Sequence, residues 1–253
     1  MISRYLSVFA DGEPFAPDSR FRLSGTVRIG LFPSLFLLQC WNLSDSDIFL
    51  LRNTKELSIK REDSCLAFGQ VSDVFTETVP EGTVTTVAFS LGMDLWESQV
   101  ALSVPSGVSV SETLRRILSA SGSGIQLLSF PGADPVFFRG QAFCGRAADC
   151  VSDVLSAASA KGYLVPAGLC VIPAERLPAT LHLKGKDLTD RPSFADSGRK
   201  LILSTTVTGF QPGEEMTLET DGKTYSGMIL ERMVEVDTAM GAWVTQLMVE
   251  VHR

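Results

Sequence analysis

Ser109-Val110-Ser111-Glu112-Thr113-Leu114-Arg115-Arg116-Ile117-Leu118-Ser119-Ala120-Ser121-Gly122 is the stretch on which the fold reading turns. Ser109 and Glu112 have the spacing of a capping box: the hydroxyl bonds a free N–H of the first turn and the carboxylate reaches back to the cap. Val110, Leu114, Ile117 and Leu118 then share one helical face, and Gly122 and Gly124 supply the left-handed positions at which such a helix stops. A second helix is predicted over roughly Phe143 to Lys161, with Ala147, Cys150, Val151, Val154, Leu155 and Ala158 on its buried stripe and Gly162 just beyond. Pro105 to Pro173 is thus the one region of clear helical periodicity in a chain that otherwise reads as β.

On the N-terminal side, Tyr5 to Phe9 reads as a strand ended by the turn pair Asp11-Gly12. Phe21 to Ile29 alternates apolar with polar residues, Pro33 breaks the next segment, and Leu35 to Trp41 reads as a core strand. Asp45-Ser46-Asp47 starts a short helical turn through Leu51. Leu57 to Lys60, one or two strands from Cys65 to Phe75 around Gly69, the Glu81-Gly82 turn and Thr83 to Leu91 complete this part. About six or seven strands at such spacing suggest a small barrel or sandwich. Ser103 to Gly107 reads as an exit linker. Between the helices Ile125 to Leu128 and Pro135 to Phe138 are predicted strands, and Gly162 to Ile172 a hairpin bending at Ala167-Gly168. On the C-terminal side, Ala179 to Leu183 reads as a strand and Asp187 to Lys200 as a polar loop. Leu201 to Val207 and Met216 to Glu219 follow, and Asp221-Gly222 is the strongest hairpin pair in the chain. It leads into two long strands, Thr224 to Val236 and Trp243 to Val251.

At 253 residues, with 45% hydrophobic and 20% charged, the chain has ample material for a core, and wholesale disorder is excluded. A net charge of −7 argues against a surface that grips nucleic acid. The longest apolar run, Leu35 to Leu38 with Cys40 and Trp41, has strand length, so no membrane-spanning helix and no stable membrane insertion are expected. Met1 to Tyr5 lacks an apolar signal core, because Asp11, Glu13 and Asp18 follow quickly, and synthesis in the cytoplasm is expected. Cys40, Cys65, Cys144, Cys150 and Cys170 form no Cys-x-x-Cys pair, and only His182 and His252 stand by to complete a metal site. Reduced, buried thiols are the reading, with no metal, no cofactor and no catalytic residue assigned.

Several segments in this order resemble the tail or baseplate hub proteins of long-tailed bacteriophages and related contractile injection systems. Leu37 to Ser44 looks like a hub strand ending in Asn-Leu-Ser. Leu66 to Val74 looks like the next strand, where Phe68-Gly69 precedes an apolar-polar run. Ser111 to Gly122 matches the helix opening the family's middle module. Phe138 to Phe143, Asp149 to Leu155 and Gly162-Tyr163 resemble its second helix and hairpin. Leu203 to Glu219 with Gly241-Ala242-Trp243-Val244-Thr245 looks like the closing barrel. Glu62-Asp63-Ser64 departs from the pattern, standing where a Gly-Tyr pair often opens a strand.

The resemblance implies an α+β, mainly β chain: two tube-like β-barrel domains, 1–104 and 177–253, flanking an α/β insert, 105–176. It also implies a non-enzymatic homotrimer, a pseudo-sixfold ring in the virion tail or baseplate, assembled in the bacterial cytoplasm. That ring joins tail tube or distal-tail ring proteins to a spike or tip protein. DNA or tape-measure protein passes through its lumen without specific nucleic-acid binding. Glu214, Glu215, Glu219, Asp221 and Glu235 are the acidic residues expected to face that lumen and repel phosphates.

Other constellations compete. Asp149-Cys150-Val151-Ser152 is similar to the Asp-Cys-Ser-Gly start of NlpC-type cell-wall peptidases, with His182 as the only candidate base; Val151 and Ser152 replace the expected Ser and Gly. Cys150 equally fits the apolar stripe as a core residue. Asp45 and Asp47 read as a metal pair or as a helix cap. Gly140 to Gly145 lacks the Lys and Ser/Thr of a phosphate loop. Arg115-Arg116 and Arg20 with Arg22 read as solvated faces or a subunit interface. Trp41, Trp96 and Trp243 read as a sugar platform or as packing. A tail-tube or distal-tail ring protein is a further alternative, although those lack a two-helix insert.

Overall fold

The structure, a computed structural model, describes residues 6–15, 19–62, 64–166, 168–172, 181–239 and 243–252. The N-terminal alternation becomes β1 (Ser7–Ala10), β2 (Glu13–Phe15), β3 (Phe21–Arg28) and β4 (Ser34–Trp41). Helix α1 (Asp45–Asn53) follows, then β5 (Glu56–Arg61), β6 (Ser64–Val79) and β7 (Gly82–Leu91). The middle of the chain forms α2 (Met93–Glu97), β8 (Gln99–Val104), α3 (Val110–Ser121), β9 (Gln126–Ser129) and β10 (Gln141–Arg146). It continues with α4 (Ala147–Ala157), β11 (Lys161–Val165) and β12 (Gly168–Ile172). The last third gives β13 (Leu181–Lys184), β14 (Ser193–Ala195), β15 (Lys200–Thr205), β16 (Glu215–Thr220), β17 (Lys223–Asp237) and β18 (Trp243–Val251). The chain is therefore mainly β, with four α-helices among the described residues. By contacts it divides into two compact units: Met1–Val27, Ser34–Ser90 and Ala179–Arg253 form the first, Arg28–Pro33 and Leu91–Pro178 the second.

The first unit is one large sheet ordered β14-β15-β18-β17-β3-β4-β7-β6-β5-β1-β2, with β16 also on β17 and β13 parallel to β16. Among the described residues no strand pair closes it into a barrel. Asp221 and Gly222, at φ 50° and 71°, make the mirror-image turn that joins β16 to β17 in register Thr220↔Lys223. Leu183, Leu201, Leu203, Phe210, Met216, Leu218, Ile229, Leu247 and Val249 pack its C-terminal core. Segments far apart in sequence are stitched by arginines. Arg20 pairs with Asp237, its Nε donating to Oδ1 at 3.0 Å, and Arg22 donates to Glu235 at 2.7 Å. The buried Arg232 donates from Nη1 to the Phe210 carbonyl at 3.0 Å and from Nη2 to the Leu66 carbonyl at 2.8 Å. Burial pulls its guanidinium down to about 10, with Cys65 and Glu214 pulling the other way.

The second unit packs α3 against α4 and both onto short sheets, β8 with β10 and β11-β12-β9. Val110, Leu114, Ile117 and Leu118 of α3 face Ala147, Cys150, Val151, Val154 and Leu155 of α4 as buried stripes. Ser109 caps α3, accepting from the Glu112 N–H at 3.3 Å, and Gly122 ends it at φ 68°. The predicted box is only half made, because the Glu112 carboxylate accepts from Arg116 Nε at 2.9 Å instead. Asp134 secures a different group of the first turn, accepting from the Ser111 N–H at 2.9 Å and Oγ at 2.7 Å.

Several expectations are corrected. Phe143 to Arg146 is strand, since β10 pairs on every rung from Gln141↔Val104 to Arg146↔Gln99 and Gly145 at φ 134° is incompatible with a helix. The helix ends before Lys161, which opens β11. Leu35 to Trp41 is buried on one face only. The turn after Asp45 is a nine-residue helix, and Cys65 to Phe75 lies within one long strand. Pro135 to Phe138 makes only a bridge, Ser109↔Val136. Asp187 to Lys200 contains β14, which pairs with β15. The start of the Tyr5 strand, the Asp63, Ala167 and Gly241-Ala242 positions and the start of the Ala179 strand lie outside the described residues.

Replacing Arg232 by Ala orphans two buried carbonyls and is expected to lower stability by about 2–4 kcal/mol in a urea titration. Lys at that position recovers only part of the loss, since one ammonium does not span both acceptors. Burial pushes the Asp134 carboxyl up, but hydrogen bonds from Ser111 and Ser109 with nearby Arg115 outweigh it and hold it below its ordinary 3.8. A lowered folded-state value means a contribution present above 3.8 and lost as pH falls through the folded value. Asp134→Ala should therefore cost about 1 kcal/mol at neutral pH, and paired thermal melts should show the difference shrinking in acid.

Candidate assembly surfaces

The residues singled out for chemistry are not gathered into a reactive site. Cys150 is 5% exposed within the α4 stripe of the second unit. Burial pushes its thiol up, and Asp153 and Asp149 push the same way, which is the wrong direction for a nucleophile. His182 belongs to β13 of the first unit, where Nδ1 meets Thr217 Oγ1. Asp47 completes a capping box with Ser44, so Asp45 and Asp47 serve a helix start. Gly140 to Gly145 runs into strand β10 rather than a phosphate loop. Among the described residues no cluster of three or more His, Cys, Asp or Glu suits a metal ion, and no helix is long and apolar enough to cross a membrane.

Each tryptophan is paired with its own arginine instead of joining a platform. The Arg20 guanidinium lies 4.4 Å from the Trp41 ring centre, that of Arg61 5.1 Å from Trp243, and that of Arg146 4.4 Å from Trp96. Phe32 lies tilted against the same Trp96, ring centres 5.0 Å apart. Arg115 and Arg116 both pair with Glu112. The five acidic residues expected in a lumen have several different environments. Glu215 is buried against His252 at 2.6 Å, Glu214 accepts from the Gln211 N–H at 2.8 Å, and Glu235 pairs with Arg22. Glu219 and Asp221 are exposed. Cys144 is exposed, against the expectation of buried thiols throughout.

The structure leaves strand edges and large apolar side chains exposed among the described residues. The β5 register on β6 ends at Glu56↔Gln70, so among the described residues positions 72–79 of β6 pair with β7 alone and offer a free edge. Strands β2 and β14 end the large sheet. Large apolar side chains stand in solvent: Leu35, Leu37, Phe49, Leu50, Phe75 and Met233 in the first unit, and Phe32, Leu128 and Phe138 in the second. Sequence reasoning missed this set. Its trace was the run Ile48-Phe49-Leu50-Leu51, since four consecutive apolar residues in a helix cannot all face one core.

The architecture has known counterparts. A tail protein from Neisseria meningitidis MC58 superposes with TM-score 0.75 over 97% of this chain and 95% of its own, at 11% identity. The 43 kDa tail protein of prophage MuSo2 from Shewanella oneidensis gives TM-score 0.69 over 97% of both chains, at 10% identity. The E. coli c3393 protein, a type VI secretion component similar in structure to T4 tail proteins gp27 and gp5, gives 0.68 over 98% of this chain and 77% of its own, at 11% identity. The chain has the fold of phage tail proteins. No protein-family model matches its sequence, and no curated protein does. The tail-protein fold thus persists here at a level of identity where the likeness lies in the backbone, and it extends over both units, as the coverage requires.

Within this tail-protein fold the thiols give a direct check on the cysteine reading. A thiol reagent should modify Cys144 quickly in the native protein and Cys150 only on unfolding. Cys150→Ala should leave the fast phase unchanged; loss of that phase would identify Cys150 as the reactive thiol.

Proposed function

We propose that the chain is a structural hub subunit of a phage-like tail or baseplate, and not an enzyme. The observation that carries this reading is the correspondence, nearly end to end in both directions, with tail proteins of Neisseria meningitidis and prophage MuSo2. The subunits form a homotrimer with pseudo-sixfold symmetry. Domains 1–104 and 177–253 supply its two tube-like β elements, joined through β3 and β17, and the 105–176 module is inserted between them in sequence. The sheet that stays open in one copy is completed by strands of the next, which removes the free edge at residues 72–79. The ring joins a tail tube or distal-tail ring protein on one side to a spike or tip protein on the other, within the virion tail. Its lumen passes DNA or tape-measure protein, and the net charge of −7 keeps phosphates from adhering.

Sedimentation equilibrium and negative-stain microscopy of the purified protein test the reading. A species of three chain masses with a central opening is expected. A monomer throughout the micromolar range, with no ring on the grid, overturns it.

A further inference from the structure

The outer face of the first unit's sheet carries a groove. Strands β17, β3 and β4 are neighbours, and the pairs Arg20 with Asp237 and Arg22 with Glu235 tie β17 to antiparallel β3. The Thr238 N–H donating to the Phe21 carbonyl at 2.9 Å puts Met233 level with Thr26, one position beyond Ser24 on the same face. Ser24 in turn pairs with Leu37. Leu23, Leu38, Phe36 and Val234 point to the opposite, buried face. Met233 forms one wall of the groove, Leu35 and Leu37 at 61% and 46% exposure form the other, and the short Ser24 and Thr26 line its floor. The walls stand two strand spacings apart, about 10 Å, which is close to the roughly 10–12 Å diameter of a helix with its side chains.

Helix α1 supplies a ridge of matching form. Only Leu51 is fully buried in it, while Phe49 is 71% exposed and Leu50 stands beside it in solvent. Asp45, Phe49 and Arg52, at spacings of four and three, lie along one stripe in the order acid, aromatic, base. The groove carries the opposite order on its outer face: Arg22, then Leu37 and, one position on, Met233, then Glu231. The stripe covers about 10 Å of helix axis, and Arg22 to Thr26 covers about 13 Å of strand. Both surfaces are exposed in one copy, so neither covers the other.

We infer that α1 of one copy seats in the β17-β3-β4 groove of a second copy, with Phe49 between Met233 and Leu37, Asp45 toward Arg22 and Arg52 toward Glu231. The contact is heterologous: each copy offers a ridge to one neighbour and a groove to another, and repetition closes a ring when the rotation fits. The inference rests on the ring reading above and names the surfaces that would build it.

The test uses Phe49→Asp and Leu37→Asp in the full chain. Each variant alone should lose the oligomer in sedimentation while keeping the wild-type melting temperature, because both side chains stand in solvent. Mixed in equal amounts they should recover a two-copy species, since one retains the groove and the other the ridge. As an independent readout, in a Cys144→Ser background, Phe49→Cys mixed with Leu37→Cys should give a disulfide-linked dimer on mild oxidation. Two variants that assemble like the wild type, with no cross-link, overturn the contact and leave the ring reading standing. Loss with Leu37→Asp alone assigns the groove to another occupant and overturns it too. A wild type that never assembles sinks both.

Discussion

A buried guanidinium holds the first unit together. Arg232 reaches from the middle of β17 to two carbonyls, Leu66 in β6 and Phe210 in the segment before β16, which are supplied by opposite ends of the sequence. Burial makes its charge costly and lowers its proton affinity, and its Nε hydrogen finds no acceptor among the described residues. Two charge-assisted bonds to those carbonyls offset that cost. The planar fork also dictates geometry, since both acceptors must lie in its plane at fixed separation. The segment around Phe210 is held from further points: Arg61 Nη1 donates to the Thr206 carbonyl at 3.1 Å, and Glu214 closes the turn at Gln211. A lysine, an effective point charge, would bring no such plane.

Local chemistry was the legible part of this fold. Asp221-Gly222 announces its hairpin because few residue pairs accept two positive φ angles in succession, and Ser109 with Gly122 brackets α3 because helix ends need those groups. Partnership was not legible. Phe143 to Arg146 reads as the start of the helix that follows, and its pairing with β8 makes it strand instead. Alternation in β3 and β17 says that each has one buried face, yet nothing in either names the other as its neighbour across more than two hundred residues. The same gap governs the surface. Leu35 and Leu37 read as core because they are apolar, and their exposure follows from a sheet that covers one side only.

The free edge along residues 72–79 and the bare apolar face belong to one sheet. The strands of the first unit make a large sheet, and its outer face at Leu35, Leu37 and Met233 is left uncovered among the described residues. Asp73 and Glu77 stand exposed on the edge of β6, and charges so placed oppose indiscriminate strand addition while leaving room for a partner that accommodates them. An unfinished surface with guards at its edge is what a subunit needs if it is to stay soluble alone and still associate selectively.

The interleaved order of the segments also has a consequence for how the molecule is made. The second unit is contiguous apart from Arg28–Pro33, whereas the first waits for β17, whose Asp237 meets Arg20 only after 217 further residues have left the ribosome. Strand β3 therefore emerges early and must remain without its eventual neighbour β17 while the whole helical module is translated. Contacts of such long range are slow to form and leave edges open to misassociation. The rate of synthesis through the central module sets how long the nascent chain stays in that vulnerable state.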